Sequence, residues 1–272
     1  MLSNFFTLIL FSSITVLTVR KLLIHGIEIV CWKLSLSNKA KGQIIGFTTS
    51  IPELTVIISS ALSGVFSVGF WNIASSNIIN WFLFLSAVLF YRQQKELFKA
   101  TFIDEIAFGL LSVAIPAIMF LKKVEFTSGI ALILVVFFII YKTIDHYANL
   151  KQKGVAITSL VHGRMRKGIF FIVAGSIIIT ISGHFIGQSS YELIRIVGIP
   201  AWLIGWILGV ITSIPELTSF FEIYSLHKKR GTLHYISDTQ EALDALVFSN
   251  MSNLGLILPV GMLIFAISSN AL

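Results

Sequence analysis

Long apolar stretches alternate with short polar ones along nearly the whole chain. Eight of these stretches are long enough to cross a hydrocarbon layer roughly 30 Å thick as α-helices. They cover residues 4–28, 41–64, 70–90, 103–121, 126–146, 168–188, 198–223 and 241–268. Most of the connections between them are short, which leaves no room for a separate soluble domain. The pattern therefore predicts an all-α integral membrane protein with about eight transmembrane helices.

The first stretch needs a separate test, because an apolar N-terminal segment can also be a secretory signal. It has no basic residue ahead of its apolar run and no clear small-residue cleavage site. We therefore expect residues 4–28 to be retained as the first helix.

Composition supports the membrane class and narrows the possible functions. Of the 272 residues, 56% are hydrophobic and only 12% are charged, too few to cover a soluble domain of this length. Cys31 is the single cysteine, which excludes an internal disulfide and a cysteine-based metal centre. The chain has no G-x-x-x-x-G-K-[S/T] sequence for nucleotide phosphates and no recognisable enzyme motif. We expect no enzymatic activity and no cofactor, and any transport must be driven by an ion gradient.

The positive charges are unevenly distributed. The net charge is +7, and most lysines and arginines fall in alternate loops, within residues 33–41, 92–99, 151–167 and 228–230. Such loops face the cytoplasm, so both termini are predicted to lie outside. A basic surface for nucleic acid is the alternative interpretation, and loops this short argue against it. We expect the lipid bilayer as the partner, in the cytoplasmic membrane of a bacterial or archaeal cell.

A ten-residue motif occurs twice. GFTTSIPELT covers residues 46–55 and GVITSIPELT covers residues 209–218, in the second and seventh predicted helices. Each copy is followed by S-N-x-x-N, at residues 76–80 in the third helix and 249–253 in the eighth. The second and seventh helices run in opposite directions across the membrane. The two copies therefore indicate an inverted-topology repeat, a plan common among secondary transporters.

The motif combines a helix-breaking proline with oxygen-bearing side chains. Pro52 and Pro215 have no N–H to donate, so carbonyl groups one turn earlier need another partner inside the membrane. The neighbouring hydroxyl and carboxyl groups belong to Thr49, Ser50, Glu53, Thr212, Ser213 and Glu216. Oxygen ligands favour a hard cation such as Ca²⁺ or Na⁺ over Zn²⁺ or Cu²⁺. Two glutamates also balance one divalent ion, so we predict that both are functional.

The two S-N-x-x-N copies extend this candidate site. Ser76 and Asn80 are four residues apart and share one helical face, and Ser249 and Asn253 repeat this spacing. Such residues often form hydrogen bonds between membrane helices, and packing is therefore one interpretation of them. The glutamates nearby favour the other interpretation, in which these side chains bind cations.

TSIPEL followed by SSNIIN, and TSIPEL followed by FSNMSN, resemble the two alpha repeats of the cation/Ca²⁺ exchanger superfamily, which includes Na⁺/Ca²⁺ and H⁺/Ca²⁺ antiporters. The stretch GIPAWLIGWILGVITSIPEL, residues 198–217, carries the strongest likeness. The resemblance implies that Glu53 and Glu216 bind Ca²⁺ together with backbone oxygens of Thr49 and Thr212. It also implies that flanking monovalent-cation positions are lined by Ser50, Ser213, Ser76, Ser249, Asn80 and Asn253. The first and sixth helices would slide as a gate.

The chain departs from this family pattern at three points. The second repeat often has an acidic residue where this chain has Asn253, and a site with two carboxylates favours proton coupling or a reduced sodium load. The family's glycine before S-N is Ser75 in one copy and Phe248 in the other, and Phe248 is expected to tighten helix packing. The family usually has ten helices, five in each repeat. Residues 1–150 would form a first repeat of five helices. Residues 151–272 would form the second repeat, which would lack its last two helices.

Residues and resemblance together predict a secondary-active cation antiporter that exports Ca²⁺ in exchange for Na⁺ or H⁺ by alternating access. The alternative is a non-transporting or split cation-binding subunit, a degenerate exchanger relative whose missing helices a second subunit would supply. The paired motifs favour the first function, and the number of helices favours the second.

Charged residues outside the motifs carry three weaker expectations. Glu28 is expected on a surface of the first helix near the cytoplasm. Asp244 and Glu222 are expected to be solvated at helix ends. The sequence contains no run of acidic residues, so we expect no Ca²⁺-sensing loop.

Overall fold

The computed structural model describes residues 2–62, 64–149, 163–197 and 200–270. These residues form eight long helices, which are α1 (2–33), α2 (Asn38–Leu62), α3 (Phe66–Phe90), α4 (Ala100–Leu121), α5 (Ser128–Asn149), α6 (Met165–Val197), α7 (Ala201–Lys229) and α8 (236–270). A short helix, Gln94–Leu97, precedes α4. Seven of the eight, α2 to α8, are long and apolar enough to cross a membrane. Each predicted span coincides with one helix, so the prediction of an all-α membrane protein with about eight such helices is confirmed.

Two of the helices are broken in the middle. α2 consists of Asn38–Thr49 and Ile51–Leu62, and α7 consists of Ala201–Thr212 and Ile214–Lys229. The breaks fall at Ser50 and Ser213, two residues before Pro52 and Pro215. A proline has no N–H for the carbonyl four residues earlier, and its ring crowds that carbonyl. The breaks therefore lie where the sequence predicted loosened backbone.

Four helices form the centre of the bundle. Within the most apolar stretch of each helix, 61% of residues are buried in α2, 50% in α3, and 56% in both α7 and α8. The corresponding values are 33% in α4 and 28% in both α5 and α6. α1 packs along α6 on one side, and α4 and α5 pack against α8 on the other. The helices that carry the repeated motifs are thus the most enclosed.

Small residues allow the central helices to cross closely. A methyl group on Gly46 of α2 would overlap the carbonyl group of Ala245 in α8. The second repeat builds the same crossing between α7 and α3, where a methyl group on Gly209 would overlap the side chain of Ser75. Each crossing has a second crowded glycine one turn earlier, Gly42 in α2 and Gly205 in α7. The two repeats, which run in opposite directions, therefore use the same small-residue packing.

Phe248 does not crowd these crossings, because its side chain faces α5. Its ring centroid is 5.9 Å from that of Phe138, and the Lys142 ammonium lies 5.0 Å from the Phe248 ring. The bulk of the Phe248 ring is therefore accommodated against α5.

Buried ion pairs join the helices at one end of the bundle. This end, where α2, α4, α6 and α8 begin, also carries most of the lysines and arginines, and we call it the basic end. Lys41 Nζ lies 2.9 Å from Glu28 Oε1 and 2.8 Å from Glu241 Oε1. Arg230 also binds Glu28, and His227 Nε2 is 3.3 Å from Glu241 Oε2. The expectation that Glu28 lies on a surface is wrong, because α2 and α7 bring two cations against it.

The glycine crossing predicts a stability effect. Gly46→Ala should lower the free energy of unfolding by about 1–3 kcal/mol, because the new methyl group meets a backbone carbonyl that cannot rotate away. Thermal unfolding in detergent, followed by tryptophan fluorescence, measures the change. Gly129→Ala is the matched control, since its Cβ would have only Thr127 Oγ1 nearby, at 3.7 Å. Equal melting temperatures for the two variants would rule out the close crossing.

The buried ion pairs predict a larger effect. Lys41→Met leaves the carboxyl groups of Glu28 and Glu241 with fewer cations in a buried position, and losing a buried partner typically destabilises by about 3–5 kcal/mol. Glu222→Gln is the control, because its partner Arg20, 3.4 Å away, is mostly exposed. Such a pair contributes less than about 1 kcal/mol. Chemical or thermal unfolding compares the two, and a Lys41→Met protein as stable as Glu222→Gln would contradict the network.

Candidate cation-binding site

The two helix breaks face each other in the centre of the bundle, and all ten predicted site residues lie around them. Six of the ten are at the breaks themselves, namely Thr49, Ser50 and Glu53 in α2 and Thr212, Ser213 and Glu216 in α7. The other four are Ser76 and Asn80 in α3 and Ser249 and Asn253 in α8. None of the ten exposes more than 1% of its surface. Packing has thus brought residues from both repeats into one enclosed group.

Serine hydroxyl groups connect the two breaks through α8. The Oγ atoms of Ser50 and Ser249 are 2.7 Å apart, and Ser249 Oγ donates to Oε1 of Glu216 at 3.2 Å. The equivalent serines of the other motif copies are arranged differently. Ser76 donates to a backbone carbonyl of its own helix, and Ser213 Oγ has no partner within the described residues. The Glu216 side of the group is therefore more fully hydrogen-bonded than the Glu53 side.

Each glutamate lies against the opposite repeat. Glu53 is next to Thr212, and Glu216 is next to Thr49 and close enough to Glu53 for their charges to interact. Thr212 is held in turn by Asn72 of α3, whose Nδ2 donates to Thr212 Oγ1 at 3.2 Å. Each carboxyl group therefore lies beside a residue of the other motif copy, and the two carboxyl groups lie in one group rather than in two separate ones.

Four asparagines bind α3 to α8 with two-fold symmetry. Nδ2 of Asn77 donates to the carbonyl oxygen of Asn250 at 3.3 Å, and Nδ2 of Asn250 donates to that of Asn77 at 2.9 Å. Asn80 Nδ2 donates to Asn250 Oδ1 at 3.0 Å, and Asn253 Nδ2 donates to Asn77 Oδ1 at 3.1 Å. The outer pair, Asn80 and Asn253, is thereby oriented with both amide NH₂ groups occupied. Packing is thus one of the roles of the S-N-x-x-N copies.

Six oxygen atoms of the group are buried without a hydrogen-bond partner in the part of the chain that the structure describes. They are both carboxylate oxygens of Glu53, Oε2 of Glu216, Oγ of Ser213, and Oδ1 of Asn80 and Asn253. An unsatisfied buried polar group typically costs about 1–3 kcal/mol. Ca²⁺ binds six to eight oxygen ligands and no nitrogen or sulfur is needed. The donor set therefore fits a hard cation.

α8 loosens its winding at the last asparagine of the motif. Residues Asn253–Ile257 form a π-helical turn, in which the N–H of Leu258 donates to the carbonyl of Asn253. Pro259 follows at once and has no N–H for the carbonyl of Gly255, which accounts for the wider turn. α3 has no such turn at Asn80. Asn253 therefore lies at the start of a π-helical turn, whereas Asn80 lies in regular α-helix.

Two cavities flank the group, one toward each end of the bundle. One, of ≈ 410 Å³, is lined by Thr55 of α2, by His184 of α6 and by parts of α3 and α7. The other, of ≈ 470 Å³, lies on the basic side and is lined by Thr218 of α7, by Arg20 of α1 and by the end of α3. Thr55 and Thr218 are the last residues of the two motif copies. Each cavity thus includes the threonine two residues after one of the two glutamates.

Sequence analysis missed three residues of this group. Asn77 and Asn250 are the first asparagines of S-N-x-x-N, and their presence in both copies was a signal that they act as a pair. Asn72 has no counterpart in a motif, so only the packing of α3 on α7 reveals its contact with Thr212.

Comparison with known proteins identifies the family. Residues 4–144 match the family model described as sodium/calcium exchanger protein. The chain is similar in structure to the H⁺/Ca²⁺ exchanger CAX, with a TM-score of 0.70 and 16% identity over 98% of this chain and 69% of that one. It is also similar to the sodium-calcium exchanger NCX_Mj soaked with 2.5 mM Na⁺ and 10 mM Sr²⁺, with a TM-score of 0.60 and 19% identity over 97% of this chain and 83% of that one.

No curated protein matches the chain significantly. The two similar structures share less than a quarter of their residues with this chain, so they establish its fold, and the family model establishes its membership. The resemblance inferred from the repeated motifs is confirmed. Because the match covers residues 4–144, more than half of the chain, this protein belongs to the sodium/calcium exchanger family.

Proposed function

We propose that this protein is a secondary-active antiporter that binds one Ca²⁺ between Glu53 and Glu216 and exchanges it for Na⁺ or H⁺. The observation that carries the proposal is the enclosed pair of glutamates from two inverted repeats, with unpartnered oxygens around them. The names of the similar structures fit it, since CAX is an H⁺/Ca²⁺ exchanger and NCX_Mj a sodium-calcium exchanger.

Charge balance limits what can replace Ca²⁺. The site has two carboxylates, and the related positions in α3 and α8 are both neutral amides, Asn80 and Asn253. One Ca²⁺ neutralises this charge, and so do two monovalent cations or two protons on the carboxyl groups. Three Na⁺ would leave an excess positive charge in a buried site. The side chains therefore favour two monovalent charges per Ca²⁺, carried by H⁺ or by a reduced number of Na⁺.

The two cavities support alternating access. One is lined in part by α6 and the other in part by α1, and each includes the threonine two residues after one of the two glutamates. A cation released from the shared site would enter one cavity or the other, depending on which of these two outer helices has moved. The basic end faces the cytoplasm by the positive-inside rule. An inward gradient of the coupling ion would then drive Ca²⁺ outward.

Neutral substitution of either glutamate tests the assignment. Glu53→Gln and Glu216→Gln should each reduce Ca²⁺ transport to background, because an amide cannot balance the charge of the ion. We would measure ⁴⁵Ca²⁺ uptake into proteoliposomes of the purified chain, driven in turn by outward Na⁺ and H⁺ gradients. Glu125→Gln, in the exposed loop between α4 and α5, is the matched control and should transport normally.

The gradient that drives uptake in the unaltered protein names the coupling ion. Uptake that persists in both variants would show that neither Glu53 nor Glu216 is needed to bind the transported Ca²⁺. A folded protein that binds Ca²⁺ without gradient-driven uptake would instead support the non-transporting cation-binding subunit.

The two asparagines of α8 allow a second test. Asn253→Asp adds a third carboxylate and should lower the half-saturating Na⁺ concentration for Ca²⁺ exchange by roughly five- to tenfold. Asn250→Asp is the control, since both amide atoms of Asn250 already bond to α3. It should destabilise the protein without tightening Na⁺ binding. Unchanged Na⁺ dependence in a well-folded Asn253→Asp protein would show that this position does not contact the cation.

A further inference from the structure

A second group of acidic side chains lies at the basic end, apart from the glutamate site. Asp104 and Glu105 come from the start of α4, Asp145 from the end of α5 and Asp244 from the first part of α8. All but Asp104 are buried. The sequence-based expectation of a solvated Asp244 is therefore wrong. Asp104 and Glu105 are neighbours in sequence, but Asp145 and Asp244 lie far from them and join them because α4 and α5 pack against α8.

The spacing of the carboxylates suits one calcium ion. One oxygen from each of Asp104, Glu105 and Asp145 can be chosen so that all lie within 4.8 Å of one another. Ca²⁺ holds its oxygen ligands at about 2.3–2.6 Å, so two ligands on opposite sides are about 4.6–5.2 Å apart.

The ammonium group of Lys39 now lies among these carboxylates. Its Nζ is 3.0 Å from Glu105 Oε1, 2.5 Å from Asp145 Oδ1 and 3.5 Å from Asp244 Oδ1. Lys39 is the second residue of α2, and its side chain is 14% exposed at the rim of the cluster. A lysine in this position acts as a tethered cation, with a flexible stem that can turn toward solvent.

Lysine does not fully satisfy the cluster. Within the described residues, the ammonium groups of Lys39 and Lys142 both reach the cluster, and Lys142 Nζ lies 3.4 Å from Asp145 Oδ2. Oε2 of Glu105 and Oδ2 of Asp244 are buried without hydrogen-bond partners in the described part of the chain. Both atoms belong to carboxyl groups whose other oxygen reaches Lys39. The cluster thus has unused ligand atoms that point to a further cation.

We propose that this cluster is a second Ca²⁺ site, in which Ca²⁺ replaces the ammonium group of Lys39. The ion would be held by Asp104, Glu105 and Asp145, with Asp244 adjoining. Lys39 would leave, so the ion pairs that it makes from the start of α2 to α4, α5 and α8 would be lost. Because α2 carries Glu53, Ca²⁺ at the basic end would act on the helix that holds the transport site.

The test removes the transport site first. Calorimetric titration of a Glu53→Gln/Glu216→Gln protein with Ca²⁺, and separately with Mg²⁺, reports binding elsewhere in the molecule. We expect about one Ca²⁺ per chain, bound more tightly than Mg²⁺. Adding Lys39→Gln should raise Ca²⁺ affinity about tenfold or more, because the competing cation is gone. Adding Glu105→Gln instead should weaken binding by about tenfold or more.

The matched control is Lys95→Gln, which removes an exposed lysine from the same end and should leave Ca²⁺ affinity unchanged. A folded double variant that binds no Ca²⁺, with or without Lys39→Gln, would overturn the proposal. So would an affinity that Lys39→Gln leaves unaltered or lowers. Because Glu53 and Glu216 are neutral in every protein compared, the outcome does not depend on their role in transport.

Discussion

The burial of two carboxyl groups in the middle of an apolar bundle is the constraint on which the rest of this structure depends. A carboxylate in such a place needs donors, a proton or a cation. Ser249 supplies one donor to Glu216, and the described residues supply none to Glu53. The helix breaks at Ser50 and Ser213 bring hydroxyl and carbonyl groups to the same region. The two carboxyl groups thus lack most of the partners that their burial requires, which is the basis of the proposed cation site.

The inverted repeat explains how such a site can be held without a dedicated binding loop. Close glycine crossings set α2 against α8 and α7 against α3, so that each helix break faces the S-N-x-x-N residues of the other repeat. The reciprocal bonds between Asn77 and Asn250 then join α3 to α8 at the same depth. The symmetry is incomplete. The hydrogen-bonded serines next to Glu216 have no equivalent at Glu53 in the described residues, and the π-helical turn at Asn253 has none at Asn80.

The sequence was sufficient to predict what depends on local chemistry. Apolar length predicted the helices, the prolines predicted both breaks, and the repeated motif predicted which residues gather at them. It was insufficient where contacts join distant helices. The crowding at Gly46 and the burial of Glu28 and Asp244 depend on which helix packs on which, and nothing in their immediate sequence reveals it. The four-residue glycine spacing before each motif was a signal that could have indicated the crossings.

The most direct test of the central claim is to locate the bound cation. Crystals of the protein grown with Sr²⁺, a heavier analogue of Ca²⁺, would give an anomalous difference map in which the ion stands out from water. We expect a peak between the carboxyl groups of Glu53 and Glu216, within coordination distance of both. A map with both side chains well ordered and no peak between them, at saturating Sr²⁺, would contradict the shared site.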